Sequence, residues 1–464
     1  MALKDYLIFH PARATVWDLL CLVFSSKSLA EYDHIVETNN PELLPPMCIS
    51  TRLFLLSFIL FSITSSSTCK VGNKFLNWLE YFLNKLHFNG GFIRLVWNTI
   101  TGSSRSPDQH AAYYQSVQSF ASGHIEYRKN LIAPVLINRL DLSHQVSSLM
   151  ELAALASSLA YENRSRIEDI VNNHFNMDFV EFFRCLNVFV GGYTTKAFIC
   201  CSKEEDAELI VVAFRSTDGL GDWRCNYNFS FITLGDMGKV HLGFMTALGL
   251  QDKHDTEKGF PKEYNGDKSL AYYSIKKVLN DLVKKHKNAK ILVTGHSLGG
   301  ALAVLFTSLL VMHEEQEILD RISWVMTFGQ PRVGDATFGN KMVSVLGDKY
   351  TRMVYRHDIA PRFPFEIPDV IHFKHSGTFI SNSNRFHGKK VKEVANKNYF
   401  NIWNIVVKFW GAIEDFFLAI WEWEGFISIL ARFIWIMLPG VAFHNTKNYV
   451  NATRKAKIDH YIIK

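Results

Sequence analysis

The stretch ILVTGHSLGGALAV, residues 291–304, decides the fold. An apolar run of strand character, Ile291–Thr294, meets a cluster of small residues and then a run of helix formers. Ser297 sits between His296 and Leu298, with Gly295 two positions before it and Gly299 two after. This G-x-S-x-G spacing suits a strand that turns sharply into a helix, the serine held at strained dihedrals so that its hydroxyl stands clear. Residues without a Cβ on either side keep the turn from colliding with the neighbouring strand and helix. The helix that follows adds its positive N-terminal end beneath a developing oxyanion. Ser297 is therefore the candidate nucleophile.

A serine hydroxyl is weak at neutral pH and needs a histidine base oriented by a carboxylate. On this kind of scaffold the chain order is serine, acid, histidine, and the acid sits just past a later strand. Asp358 in VYRHDIAPRFP does so, directly after the strand-like TRMVY at 351–355. Asp335 in GQPRVGD is its rival, and beside Gly334 it also suits a turn or a helix cap. Among the histidines that follow, His372 and His375 lie in VIHFKHSG, whose alternation resembles a strand, and His387 lies in the polar loop NSNRFHGKK. His444, in PGVAFHNTKNYV, follows a Pro-Gly turn and precedes what reads as the last helix. The residues alone leave these candidates open.

The 464 residues are 48% hydrophobic and 20% charged, enough for one large α/β domain with additions or for two domains. Aromatics reach 14%, more than a soluble core usually needs. A net charge of +6 on so long a chain gives no reason to expect a nucleic-acid partner. The seven cysteines form no CxxC pair and read as reduced thiols of a cytosol-facing protein. HEEQE from His313 falls one residue short of a zinc HExxH, so neither metal nor cofactor is expected. Asp18 interrupts the first apolar run and no cleavage site follows, so no secretory signal is read.

Three zones differ in character. Residues 1–136 are hydrophobic: LFLLSFILFSITSSSTC (53–69) is uncharged but shorter than the ~20 apolar residues that span a bilayer. From 137 to about 375, helix-like and strand-like segments alternate. LIVVAF at 209–214 is a buried-strand run, and an amphipathic helix is expected over 269–289. Strand 290–294, helix 298–312 and strands 324–328 and 351–355 follow, and such β-α-β units imply a mostly parallel sheet covered by helices. In 401–438, Asn404, Lys408, Gly411, Asp415 and Glu422 recur at helical spacing, with five of the ten tryptophans between 403 and 435. A narrow polar stripe on a broad, Trp-rich apolar helix suits a lipid interface.

The segments IVVAFRST, VHLGFMTAL, VTGHSLGGALA, FGQPRVGD, VYRHDIAPRFP and HNTKNYV occur in the order seen in the class 3 lipases, and the chain resembles that family from about 140 to 455. Its hydrophobic start and aromatic insert are similar in character to the plant oil-body triacylglycerol lipases. The resemblance implies an α/β-hydrolase fold with a mostly parallel central sheet. A hydrophobic, helical N-terminal region (1–136) would precede the lipase domain (137–464), and an aromatic helical insert (401–438) would precede the catalytic histidine. It implies Ser297 as nucleophile, Asp358 as acid, His444 as base, and the backbone N–H groups of Thr217 and Leu298 as an oxyanion hole, Ser216 standing where the family has glycine. Residues 217–240 occupy the family's lid position, with Trp223 and Phe229 as its apolar face.

The implied activity is hydrolysis of acylglycerol esters through an acyl-enzyme on Ser297. Its expected location is a lipid-droplet (oil-body) surface or the endoplasmic reticulum membrane, facing the cytosol. Alternatives are a phospholipase A1 or galactolipase with the same triad, or a non-catalytic lipid-droplet scaffold. The greasy surface leaves oligomerisation open.

Overall fold

A computed structural model describes residues 5–25, 27–44, 47–123, 125–127, 142–188, 190–203, 205–216, 229–365, 372–391, 399, 401–455 and 457–459. Its strands are β1 (Tyr6–Phe9), β2 (Val36–Thr38), β3 (Met177–Asn187), β4 (Gly192–Ser202), β5 (Leu209–Phe214), β6 (Phe231–Thr233), β7 (Lys239–His241), β8 (Lys290–His296), β9 (Ile322–Phe328), β10 (Tyr350–Tyr355), β11 (Thr378–Asn382), β12 (His387–Val391) and β13 (Lys457–Asp459). Among the described residues, nine of them form one sheet in the order β13-β12-β11-β10-β9-β8-β5-β4-β3.

The middle of this sheet, β5-β8-β9-β10-β11, is parallel throughout. Antiparallel β3 and β4 extend one edge and β12 turns back at the other. Helices on both faces bury β5 completely, which is why LIVVAF is apolar at every position rather than alternating. Along β8 the side chains divide between the two faces. Ile291 and Val293 join the cluster of the helix Leu298–Met312, and Leu292 joins the opposite cluster with Leu152 and Leu155. That helix is apolar on all sides because it is buried over nearly its whole length.

A second sheet, β2-β1-β6-β7, ties the start of the chain to the hydrolase body: Tyr6 pairs with Ile232 and Leu7 with Phe231. The regions read as 1–136 and 137–464 thus share a sheet. The two greasy segments 53–69 and 75–88 belong to a single helix, Ile49–Phe88, about 60 Å long at 1.5 Å per residue. Among the described residues no helix is long and apolar enough to cross a membrane. Leu55, Phe58 and Ile59 on its inner face pack with Phe9, Phe229 and Phe231.

This packing shows how the described part of 217–240 is held. Residues 217–228, with Trp223, lie outside the described residues. Phe229 is no loose apolar face. It is buried edge-on against Phe54 and Phe58, with ring centroids 4.8 and 4.9 Å away. β6 and β7 are likewise held in the second sheet.

The aromatic insert forms two helices, Ile402–Trp421 and Phe426–Trp435, with Gly425 between them at φ 101°. Its polar stripe turns inward. Lys408, Gly411 and Asp415 are buried, whereas Trp403, Trp410 and Trp421 are 75%, 64% and 85% exposed. The described part of VIHFKHSG, residues 372–377, is not the strand its alternation suggested. Within it Lys374 makes an isolated bridge to Gly334, and β11 begins only at Thr378. His387 opens β12 instead of lying in a loop.

Candidate active site

Ser297 stands between β8 and the helix Leu298–Met312 at φ 55°, ψ −128°. A non-glycine residue there carries on the order of 1–3 kcal/mol of strain and persists only where its surroundings enforce it. Its N–H donates to the Phe328 carbonyl of β9 at 2.8 Å. A Cβ at Gly295 would collide with the carbonyl group of Gly299, and one at Gly299 with the carbonyl oxygen of Phe214 at the end of β5. The two glycines let three backbone segments touch, and that contact fixes the turn.

Asp358 follows β10 in a loop and is fully buried. Its Oδ1 accepts the Ala360 N–H at 2.8 Å. Its Oδ2 lies 2.7 Å from His444 Nδ1 and also accepts the Tyr449 hydroxyl. Paired in this way, His444 holds its proton on Nδ1 and leaves Nε2 as the basic nitrogen. The His444 ring lies against His296, the neighbour of Ser297, with centroids 4.5 Å apart. Gly329, from FGQPRVGD, closes the floor: a Cβ there would come within 2.7 Å of Asp358 Oδ2 and 3.0 Å of His444 Cε1.

The second histidine causes no charge conflict. Burial, reinforced by His444, pushes His296 well below the usual imidazole range, which favours its neutral form. Its Nδ1 is 2.8 Å from the Tyr161 hydroxyl, which also hydrogen-bonds the Ser216 side chain. Leu298, the first residue of its helix, has an N–H with no partner inside the helix, as an oxyanion donor requires. Thr217 lies outside the described residues.

The rival candidates have other duties. Asp335 caps the helix Ala336–Leu346, its Oδ1 accepting the Phe338 N–H at 2.8 Å. His375 Nε2 is 2.6 Å from the Pro361 carbonyl, His387 bonds Asn384, and His372 is exposed. The structure thus brings Asp358, His444 and the Ser297 elbow together and leaves these four aside.

Tyr449 is the residue the sequence reading missed. Its spacing of five from His444 in HNTKNYV was the available signal, because the first turn of the helix Thr446–Lys455 brings its hydroxyl to the Asp358 oxygen that His444 also meets. Burial and the adjacent Asp358 push its phenol well above its ordinary range, so it remains a donor. A hydrogen bond to a buried charge is worth about 1.5–3 kcal/mol. Tyr449→Phe is expected to lower kcat on a soluble ester about 10-fold and to destabilise the fold by about 1–2 kcal/mol. Steady-state rates and thermal unfolding of the variant check both.

Residues 211–367 match the family model described as Lipase (class 3). The triacylglycerol lipase OBL1 of Arabidopsis thaliana is 33% identical over 412 residues, covering 81% of this chain and 79% of its own length. The triacylglycerol lipase OBL1 of Nicotiana tabacum is 31% identical over 461 residues, covering 82% and 79%. A solved structure of the native Rhizomucor miehei lipase propeptide complex aligns at 25% identity and a TM-score of 0.40, over 53% of this chain and 71% of that one. On the likeness to these two plant relatives and the family-model match, the chain belongs to the class 3 lipase family.

Proposed function

We propose that the protein hydrolyses triacylglycerol at a lipid surface, with Ser297 as nucleophile, His444 as base and Asp358 as its orienting acid. The observation that carries this is the Asp358–His444 pair, at 2.7 Å, packed on the residue next to Ser297. His444 takes the Ser297 proton as the hydroxyl attacks the ester carbonyl, and it returns the proton to the departing glycerol oxygen. Water then cleaves the acyl-enzyme by the same route. The Leu298 N–H would hold the tetrahedral oxyanion, with the N–H of Thr217 as the second donor that the family resemblance implies. Each such donor is worth about 10²–10³ in rate. Both of these plant relatives carry the name triacylglycerol lipase, which favours that ester over a phospholipid. Release of fatty acid from emulsified triolein, compared with phosphatidylcholine vesicles, tests the choice. Hydrolysis of the phospholipid alone would reverse it.

The outward apolar side of the insert supports docking on a lipid droplet. Ile402, Trp403, Trp410, Phe417, Trp421 and Phe426 are all exposed, and the charged side chains of the first helix that are buried already have partners in the protein. Exposed Phe92, Ile93, Trp97 and Ile100 on the helix Phe92–Ile100 offer a second greasy surface. Burying a large apolar side chain is worth about 1.5–3 kcal/mol. Replacing Trp403, Trp410 and Trp421 together with Ser is expected to weaken droplet binding at least about 100-fold. Flotation with triolein droplets measures this, with circular dichroism confirming the fold. Undiminished flotation of the folded variant would remove the insert from the docking surface.

A further inference from the structure

We propose that Arg356 is a positioning residue that ties both Asp358 and His444 to the aromatic insert; the inference rests on the acyl-enzyme reading above. Arg356 lies two residues before Asp358 and has φ 46°, a left-handed conformation unusual for a residue with a long side chain. Such strain persists where the surroundings hold it, and it gathers at working sites. Here the Arg356 N–H donates to the Asn382 carbonyl at 2.7 Å, and the side chain is anchored on three further segments.

The first anchor is the insert. Nη2 lies 2.8 Å from Glu414 and 3.6 Å from the buried Asp415. The second is the strand that leads to the acid, where Nε donates to the Tyr355 hydroxyl at 3.3 Å. That hydroxyl in turn donates to Asp415 at 3.0 Å. The third is the base: the guanidinium carbon is 5.8 Å from the ring centroid of Phe443, the residue before His444. Gly411 makes room for this arrangement, since a Cβ on it would come 2.9 Å from Arg356 Nη1 and 3.1 Å from Phe443 Cζ.

A buried ion pair is a poor route to stability, because desolvation consumes most of the attraction. A planar guanidinium with fixed donors contributes geometry instead. At Arg356 that geometry joins the residues preceding the acid, the residue preceding the base and the inward stripe of the insert. Asp358 and His444 come from loops 86 positions apart in sequence. An error of about 1 Å in their alignment with Ser297 can cost on the order of 100-fold in rate. Arg356 touches neither substrate nor the reacting atoms and acts through the positions of the other two.

The test uses the full chain, p-nitrophenyl butyrate as a soluble ester, a small fluorophosphonate as a label and thermal unfolding. Arg356→Gln is expected to lower kcat and the labelling rate about 10- to 100-fold with KM nearly unchanged, and Arg356→Lys to fall between it and the native protein. Gly411→Ala is the sharper probe. Alanine favours a helix over glycine by about 1 kcal/mol, so its melting temperature should hold while the displaced guanidinium slows labelling several-fold. Native labelling rates in Gly411→Ala and in folded Arg356→Gln would overturn the proposal, as would losses that match the unfolded fraction alone. If Arg356→Gln does not fold, Gly411→Ala decides. Failure of the native protein to label would instead defeat the acyl-enzyme reading, and this inference with it.

Discussion

Asp358→Asn is expected to lower kcat on a soluble ester about 10⁴-fold, the scale set by loss of the correct histidine tautomer. The carboxylate accepts three hydrogen bonds, from the Ala360 N–H, His444 Nδ1 and the Tyr449 hydroxyl. An amide offers one accepting oxygen and one NH₂ group. If the oxygen replaces Oδ1, the NH₂ faces His444 and drives its proton to Nε2, where it blocks the base. If the oxygen replaces Oδ2, the NH₂ faces the Ala360 N–H, and two buried donors oppose each other. Either orientation leaves a buried donor unpaired, at a further cost of about 1–3 kcal/mol in stability. Initial rates on p-nitrophenyl butyrate, with thermal unfolding of the same preparation, check both effects. A rate within about 10-fold of native would show that this carboxylate does not orient the base.

Gly299→Ala carries the largest expected loss of stability. Its Cβ would meet the carbonyl oxygen of Phe214 and lie 3.0 Å from the Arg215 carbonyl carbon. These are backbone atoms at the end of β5, and β5 cannot move aside without breaking its pairing with β8 on one side and β4 on the other. The expected cost is at least about 3 kcal/mol, in the range kept for overpacking and backbone strain. Denaturant unfolding measures it, and soluble expression should fall with it. A near-native midpoint would mean that the elbow packs more loosely than this backbone contact requires.

The elbow was legible because its constraints are local. A serine at strained dihedrals and two missing Cβ atoms fall within five residues at the end of a strand, and the observed β8 and the helix Leu298–Met312 follow the expected bounds closely. The acid and base were not fixed locally. Asp335 and the other histidines carry the same side chains; position past a strand favoured Asp358, position before the last helix pointed to His444, and family resemblance decided between the candidates. Asp335 is settled by a helix cap, and His375 by a carbonyl contact formed across the fold.

Other features were hidden for reasons of tertiary structure. The period of Lys408, Gly411 and Asp415 revealed a polar face on the insert but not its direction. The partners that draw it inward lie far away in sequence: Arg356 for Asp415, and the Tyr399 carbonyl for Lys408. The helix Ile49–Phe88 read as two segments because a Ser/Thr-rich stretch lies between them, yet that stretch contains no proline to stop a helix. Phe229 looked like part of a mobile flap, and the rings that hold it, Phe54 and Phe58, are about 170 positions earlier.

Peptide mass spectrometry after reaction with a fluorophosphonate, run beside triolein hydrolysis, tests most directly whether Ser297 is the nucleophile that His444 activates. The account predicts a single adduct on the peptide that bears Ser297, none in Ser297→Ala, markedly slower labelling in His444→Ala, and triolein hydrolysis lost in step. An adduct on a different serine, or triolein cleaved by Ser297→Ala at the native rate, would contradict it.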